Sequence, residues 1–299
     1  MKTTTPNTSI LTRPIYGLVV LESINSNPNG DPDREGAPRL FSNDINWFSP
    51  QSIHRKLRDL ILNQTPTFLA ICEKLGISEK EIKENYNIYV EPTRSAASYA
   101  AEYKKDPAAF NDKYVDARWF SQTLLEKGGD FTPKAGGPLR FGVGTSLQPV
   151  EIETACGSRA QGMDDSKNAG LAPNSMRFVR YALYTASFAF NPDQAKATSL
   201  REKDVELFLA LLPFLCNFKS ASRSGTEVVQ VWTLKKPLTL PLNQATFAAM
   251  TAPKFIGENP VLPATSRADY QLRTAEEVNA ILAKRCKCGE KVEVELIEL

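Results

Sequence analysis

The residues best suited to chemistry lie in one short loop, residues 27–39, which reads NPNGDPDREGAPR. Asp31, Asp33 and Glu35 have the spacing of the first three ligands of a calcium-binding EF-hand loop, and a glycine follows them as that loop requires. The position that should carry a bidentate glutamate is Ser42, and the loop follows a strand pattern rather than a helix. The sequence therefore does not favour a calcium site.

The same loop could instead bind phosphate. Gly30 lies between a predicted strand and a basic helix, where backbone N–H groups can meet phosphates, and Arg34 and Arg39 add positive charge. A Walker-type loop is excluded because no Gly-Lys-Ser/Thr is present. An ordinary turn, in which Asn and Asp side chains bond to their own backbone, also explains these residues. The residues alone leave both interpretations open.

A basic helix is predicted soon after the loop. Ser49 and Pro50 form a helix start, and residues 51–64 carry apolar side chains at helical spacing. Either a solvated face or a nucleic-acid-binding face fits the basic positions of this helix, which are His54, Arg55, Lys56 and Arg58. His54 is the single histidine of the sequence, so catalysis by a histidine pair and metal sites with two imidazoles are excluded within one chain.

Two further stretches could form sites. In SASRSG, residues 220–225, small side chains allow a partner to approach and Arg223 supplies a cation, although a helix C-terminal loop also explains it. Cys286 and Cys288 resemble half of a zinc knuckle, but the sequence has no second pair, so no metal site is predicted. The five cysteines are an odd, scattered set, which indicates reduced thiols in a cytoplasm.

The overall composition is that of a globular protein with a substantial core. The 299 residues, of which 42% are hydrophobic, fit one large domain with insertions or two modest ones. The net charge is only +2, so any surface that binds nucleic acid must come from local clustering of basic residues. No apolar run of about 18 residues occurs and the N-terminus lacks the pattern of a signal peptide, so we predict no membrane span and no export.

The order of predicted elements indicates an α+β fold with a split βαβ, ferredoxin-like core. The elements of that core are a strand at 15–24, a helix at 51–64, strands at 138–153 and 176–190, a helix at 200–218 and a strand at 226–234. Between them we expect a short strand at 86–90, a segment at 113–127 that could be helix or strand, and an exposed arm or hairpin at 154–175. The end of the chain should form a helix at 274–285 and an edge strand, which either closes its own sheet or docks on a neighbouring copy.

Several stretches taken in order resemble the CRISPR-associated backbone subunit of Cascade, in the subtype I-C and I-B branch of the RAMP superfamily. The resemblance runs from about Ile15 to Leu234 and does not extend to the residues that follow. Its main stretches are NPNGDPD, HRKLRDL, YVDARWFS, GGPLRFGVGTSLQPVEI, VRYALY and the end of ELFLALLPFLCNFKSASRSG.

The resemblance implies an RRM-like palm with an inserted fingers region and a thumb hairpin. It also implies that Arg118 is structural and pairs with Asp116. The implied divisions are a palm of residues 1–64, 138–153 and 176–234, fingers of residues 65–137, a thumb of residues 154–175 and a C-terminal extension of residues 235–299.

The same resemblance implies a non-catalytic scaffold that needs no cofactor. Copies would line up head-to-tail along a CRISPR guide RNA, together with other Cascade subunits, and would leave the bases free to pair with target DNA. The implied RNA-binding residues are Asn27, Asn29, Gly30, Arg34, Arg39, His54, Arg55, Lys56, Arg58, Arg159, Gln161, Met163, Ser220, Ser222 and Arg223. The alternative is a type III-like subunit that cleaves target RNA with a metal held by Asp31 and Asp33.

Overall fold

A computed structural model describes residues 9–121, 124–126, 129–131, 136–159, 172–217, 225–234, 243–285 and 294–297. The helices are α1 (Pro50–Leu62), α2 (Pro66–Lys74), α3 (Glu79–Asn85), α4 (Ala96–Lys105), α5 (Pro107–Lys113), α6 (Val115–Phe120), α7 (Pro192–Thr198), α8 (Glu202–Leu211), α9 (Gln244–Thr251) and α10 (Ala275–Arg285). The strands are β1 (Ile15–Ser26), β2 (Gly30–Asp31), β3 (Ala37–Pro38), β4 (Trp47–Phe48), β5 (Leu124–Glu126), β6 (Gly129–Phe131), β7 (Leu139–Phe141), β8 (Gly144–Ser146), β9 (Ile152–Arg159), β10 (Ala172–Phe190), β11 (Thr226–Leu234), β12 (Lys254–Phe255), β13 (Tyr270–Gln271) and β14 (Val294–Ile297).

One antiparallel sheet organises the molecule, with strand order β14-β11-β1-β10-β8-β4, and β7 and β9 also pair with β10. Its inner strands come from a βαββαβ unit made of β1, α1, β7–β8, β10, α8 and β11. In space β11 lies beside β1, β1 beside β10, and β10 beside β7–β8. This is the arrangement of a ferredoxin-like core. The predicted α+β fold class is confirmed.

Strand β1 is apolar along most of its length because both faces of the sheet are covered. Successive side chains of a strand point to opposite faces. Val19 and Leu21 pack in the cluster that includes residues of α1 and α8, whereas Leu18 and Val20 pack with residues of α9 and α10. The second of these layers comes from the C-terminal extension.

The C-terminal extension completes this chain's own sheet. Strand β14 pairs with β11, with Val231 opposite Ile297, and so becomes the edge strand that the sequence predicts. Phe247 of α9 and Val278 and Leu282 of α10 are fully buried against the sheet. RRM domains stack RNA bases on an open sheet face. In this chain α9 and α10 cover the corresponding face of the sheet.

The hairpin expected at 154–175 has paired strands, as predicted. Strand β9 pairs antiparallel with the first part of β10, from Ile152 opposite Val179 to Arg159 opposite Ala172. Residues 160–171 at its tip lie outside the described residues. The boundaries of palm, fingers and thumb stay predictions.

Two predicted strands differ from the structure. Residues 86–90 form no strand beyond an isolated bridge between Asn87 and Tyr114. The backbone N–H groups of Tyr89 and Val90 donate to the buried Asp116 carboxylate instead. The predicted strand at 138–153 is divided into β7, β8 and the start of β9. Between the pairs Phe141–Phe188 and Thr145–Thr185, β7–β8 has one residue more than β10, which is a β-bulge.

The remaining elements resolve the open assignments. Residues 115–120 form helix α6, and strand β5 follows it, so the segment at 113–127 is helix and then strand. Helix α9 was not predicted; Asn243 begins it by accepting a hydrogen bond from Ala245 N, at 2.8 Å. Within the described ranges, no helix has the length and apolar character needed to cross a membrane.

Candidate nucleic-acid interface

Three segments that the sequence singles out meet at the end of β1. Residues 27–39 begin directly after that strand. The last residue of the SASRSG stretch, Gly225, accepts a hydrogen bond from Ile24 N at 2.8 Å, and a Cβ on it would lie 2.0 Å from the Ile24 carbonyl oxygen. The base of the β9–β10 hairpin lies here too, because the Asn27 side chain donates to the Arg177 carbonyl at 3.4 Å. The fold therefore brings together parts of the chain about 150 residues or more apart.

The side chains of residues 27–39 hold the loop in one shape. Asn27 Nδ2 donates to the Gly36 carbonyl at 2.7 Å, and Asn29 Oδ1 accepts from Ser49 N at 2.9 Å. A Cβ on Gly30 would lie 2.5 Å from the Gly36 carbonyl oxygen, so position 30 requires glycine. Gly36 itself has φ of +77°, which glycine adopts without strain. These contacts match the turn interpretation, and a fixed turn can also present its outer surface to a ligand.

Asp31 takes part in this turn. Its Oδ1 accepts a hydrogen bond from Asp33 N at 3.2 Å and lies 3.9 Å from an Arg39 nitrogen. In the described ranges no three or more His, Cys, Asp or Glu side chains gather so that they could hold a metal ion.

Three cationic side chains lie in the loop or against it. Arg34 is exposed at the end of a short 3-10 turn, Pro32–Arg34. Arg39 donates from Nε to the Gly30 carbonyl at 3.4 Å. Lys56 is buried and donates from Nζ to the Pro28 carbonyl at 3.4 Å and to Ser52 Oγ at 3.0 Å. The ammonium group therefore lies against the backbone of the loop.

Helix α1 begins as predicted, but its basic side chains do not share one face. Ser49 caps the helix by accepting from Ser52 N, and Lys56 lies one turn from Ser52 on the side that meets the loop. Arg55 is exposed and forms an ion pair with Asp59 at 2.7 Å. On the remaining side, Arg58 Nε donates to Asp116 Oδ2 at 2.9 Å. RNA binding by this helix stays a prediction.

His54 belongs to the side of α1 that packs on α6. Its ring stacks on Phe120 with 3.9 Å between ring centroids, and its Nε2 is buried without a hydrogen-bond partner among the described residues. Burial, together with the charge of Arg58, lowers the pKa of His54 to about 3. The imidazole is therefore neutral at physiological pH and supplies no charge for a phosphate.

The predicted pairing of Arg118 with Asp116 is wrong. Arg118 binds Asp204 through two hydrogen bonds, whereas Asp116 forms an ion pair with Arg58. Helical geometry explains the difference, because residues two apart on a helix point to different sides. Asp204 also accepts a hydrogen bond from Arg201 N at the start of α8. These ion pairs connect α6 to α8 and to α1.

Some of the predicted RNA-binding residues cannot be placed. Arg159 ends strand β9, but its side chain is not described. Gln161 and Met163 of the hairpin, and Ser220, Ser222 and Arg223 of the SASRSG stretch, lie outside the described residues. Their roles stay predictions.

Three residues beside the loop were missed by sequence reasoning. Arg177 is exposed at the base of the hairpin, with a guanidinium nitrogen 4.0 Å from a Glu35 oxygen. Phe41 and Trp47 stack on each other next to Arg39. Arg177 lies in the predicted strand at 176–190, where no sequence signal singled it out, and nothing local marked Phe41 and Trp47 as neighbours.

Comparison with solved structures finds matching chains of low sequence identity. Two of these structures are described as a CRISPR RNA-guided surveillance complex, one of them in a pre-nicking form. A chain of the pre-nicking form has 13% identity and a TM-score of 0.49, with 91% of this chain and 88% of that chain covered. A chain of the other has 13% identity and a TM-score of 0.47, with 93% and 88% covered.

A search of curated proteins finds no match. A family model, described as CRISPR-associated protein Cas7, matches residues 13–274. That range includes the loop after β1, helix α1, the hairpin, both core helices and most of the C-terminal extension. The chain therefore belongs to the CRISPR-associated protein Cas7 family.

Proposed function

We propose that this chain is the backbone subunit of a type I CRISPR effector complex, of the subtype I-C and I-B branch. Copies of it assemble head-to-tail along a guide RNA in the cytoplasm, together with other subunits of a Cascade-like complex. Each copy binds the sugar–phosphate backbone and leaves bases free to pair with target DNA. Such head-to-tail contacts do not close on themselves, so the guide RNA determines the number of copies.

The observation that carries this proposal is the convergence of three separate segments at the end of β1. The loop at 27–39, the end of the SASRSG stretch and the hairpin base meet there, with Arg34, Arg39 and Arg177 around them. Arginines and backbone donors suit phosphate contacts, which carry no sequence information. That is the recognition a scaffold for many different guides requires.

The covered sheet face supports a scaffold that binds the RNA backbone rather than a domain that recognises bases on its sheet. Helices α9 and α10 occupy the face on which RRM domains stack bases. RNA contacts are then expected at the palm loops and at the hairpin formed by β9 and β10.

The proposal is tested by purifying the tagged full chain together with the proteins encoded beside it and sequencing any RNA that remains bound. Short RNAs of uniform length that contain CRISPR repeat sequence are expected. Lengthening the guide should increase the mass of the complex in steps of one protomer. RNA of mixed origin, or a particle whose mass does not depend on guide length, contradicts the proposal.

The alternative, cleavage of target RNA by a metal held at Asp31 and Asp33, has less support. Asp31 already accepts the Asp33 N–H and faces Arg39, which explains it as part of the turn. The assembled complex should be incubated with complementary RNA and Mg²⁺ or Mn²⁺, with an Asp31→Ala complex as the comparison. Cleavage that disappears on Asp31→Ala would establish the alternative and overturn the scaffold assignment.

A further inference from the structure

A small aromatic cluster, made of Arg39, Phe41 and Trp47, lies at the end of the loop. Two backbone hydrogen bonds, from Trp47 N to the Arg39 carbonyl and from Phe41 N to the Ile45 carbonyl, both at 3.0 Å, fold residues 39–47 into a hairpin-like turn. In this geometry Arg39 lies directly opposite Trp47. Phe41 lies diagonally across from Trp47 on the same face. Three residues that are separated along the chain thus form one surface.

The geometry of the cluster is that of a cation–aromatic stack. The rings of Phe41 and Trp47 lie 5.5 Å apart between centroids, with 11° between their planes. The Arg39 guanidinium carbon lies 4.9 Å from the centroid of a Trp47 ring. Phe41 is 45% exposed, so a large apolar ring stays in contact with solvent at the outer end of the stack.

Buried polar contacts hold this turn in place. Asn46 is 1% exposed; its Nδ2 donates to the Arg39 carbonyl at 2.7 Å, and its Oδ1 accepts from Tyr184 OH at 2.6 Å. Asn46 N donates to Ser146 Oγ at 3.1 Å. The exposed stack therefore rests on the central sheet and is ordered before any ligand arrives, which reduces the entropy cost of binding.

We propose that Arg39, Phe41 and Trp47 form a stacking platform for one unpaired base of single-stranded nucleic acid. Proteins that bind single strands without sequence preference combine basic grooves with aromatic rings on which bases stack, and arginine adds a cation–π contribution. Arg39 connects the platform to the candidate interface because its Nε also donates to the Gly30 carbonyl. The platform rests on the proposed function and adds a base contact to it, with the guide RNA as its ligand.

Tryptophan fluorescence offers a direct test in the full-length chain. The sequence has three tryptophans, and Trp119 and Trp232 are fully buried, so a ligand can approach only the ring of Trp47. The probes are an oligo(A) RNA of about 12 nucleotides and an abasic ribose-phosphate strand of the same length. Both strands are expected to bind, measured by anisotropy of a terminal dye. Only oligo(A) should quench the emission of Trp47.

Variants separate stacking from phosphate binding. Phe41→Ala should weaken oligo(A) binding at least about fivefold and leave the abasic strand unchanged. Trp47→Phe keeps an aromatic ring and should abolish the fluorescence change with affinity within about twofold of the unmodified chain. Leu69→Ala is the matched control, because Leu69 is a 42% exposed apolar residue on α2, outside the interface.

The outcomes distinguish the platform from the proposed function. If both strands bind with equal affinity and Trp47 emission does not change, the platform is overturned while binding of the RNA backbone stands. If Phe41→Ala lowers the affinity for both strands equally, Phe41 stabilises the loop and does not stack on a base. The platform is again overturned. If neither strand binds, the RNA-binding proposal fails and the platform fails with it.

Discussion

The guanidinium of Arg118 binds the carboxylate of Asp204 through two hydrogen bonds, of 2.7 and 2.9 Å, although 86 residues separate them along the chain. Both side chains are fully buried. The other N–H groups of Arg118 donate to the backbone carbonyls of Asn85, Asn111 and Asp112. All five donors of the guanidinium are thereby used. One side chain thus joins α6, the start of α8 and the ends of α3 and α5.

Replacing Arg118 should strongly destabilise the chain. Arg118→Met leaves the buried Asp204 carboxylate without its partner, and we expect a loss of at least about 3 kcal/mol in the free energy of unfolding. Urea denaturation followed by circular dichroism measures it. The control is Arg180→Ala, which removes an exposed ion pair with Glu151 and should cost less than about 1 kcal/mol. Equal losses in the two variants would show that the buried pair has no special role.

Stability should fall in mild acid because of His54. In the folded chain burial lowers the pKa of His54 to about 3, whereas an unfolded histidine has a pKa near about 6.5. Below about pH 6.5 the unfolded state takes up a proton that the folded state does not. The free energy of unfolding therefore falls by up to about 2 kcal/mol between that pH and about pH 5. Above about pH 6.5, His54 is neutral in both states and contributes no pH dependence.

The variant that checks the role of His54 is His54→Phe, which keeps a ring to stack on Phe120. Urea unfolding at about pH 7 and about pH 5 should show a smaller acid-induced loss for the variant than for the unmodified chain. Parallel losses in both would mean that other groups cause the acid sensitivity.

Removing cations near the loop should weaken RNA binding without changing sequence preference. Arg34 is exposed and Arg177 is 47% exposed, so a double change to alanine is expected to leave the fold intact. Affinity should fall by a similar factor for RNAs of different sequence. The slope of log affinity against log salt should decrease by about 0.7 for each phosphate that the variant no longer binds.

Filter binding or anisotropy at several salt concentrations measures that slope. Lys80→Ala on α3 is the matched control, because its side chain is 80% exposed and lies outside the three converging segments. An unchanged slope in the double variant would contradict phosphate binding by these two arginines.

The C-terminal extension should be part of the folding unit rather than an arm for a neighbouring copy. Leu282 of α10 is fully buried against the sheet, so Leu282→Ala should lower the free energy of unfolding by about 2–5 kcal/mol. The matched control is Leu262→Ala, since Leu262 is 58% exposed and its replacement should have little effect. A single cooperative transition with a lowered urea midpoint is expected. A separate transition, or no change, would indicate an independent extension.

Local signals predicted the elements that depend on a few neighbouring residues. Ser49 with Pro50 begins a helix as expected, because a cap needs only hydrogen bonds within one turn. Strand β1 and the edge strand β14 were also predicted, since a continuous or alternating apolar pattern is visible in the sequence. Residues 86–90 had the same pattern but form only an isolated bridge, because the backbone N–H groups of Tyr89 and Val90 bind the Asp116 carboxylate from another part of the chain.

Composition, local pattern and motif order were enough to predict the α+β class and to single out the loop after β1. The contacts that those residues make follow from the tertiary fold. In the folded chain Arg118 pairs with Asp204 and not with Asp116. His54 is buried and neutral, and Arg177 lies beside the loop. The physical reason is that capping and apolar patterns act within a few residues. Ion-pair partners, burial and the convergence of loops depend on strand register, which joins segments far apart in the chain.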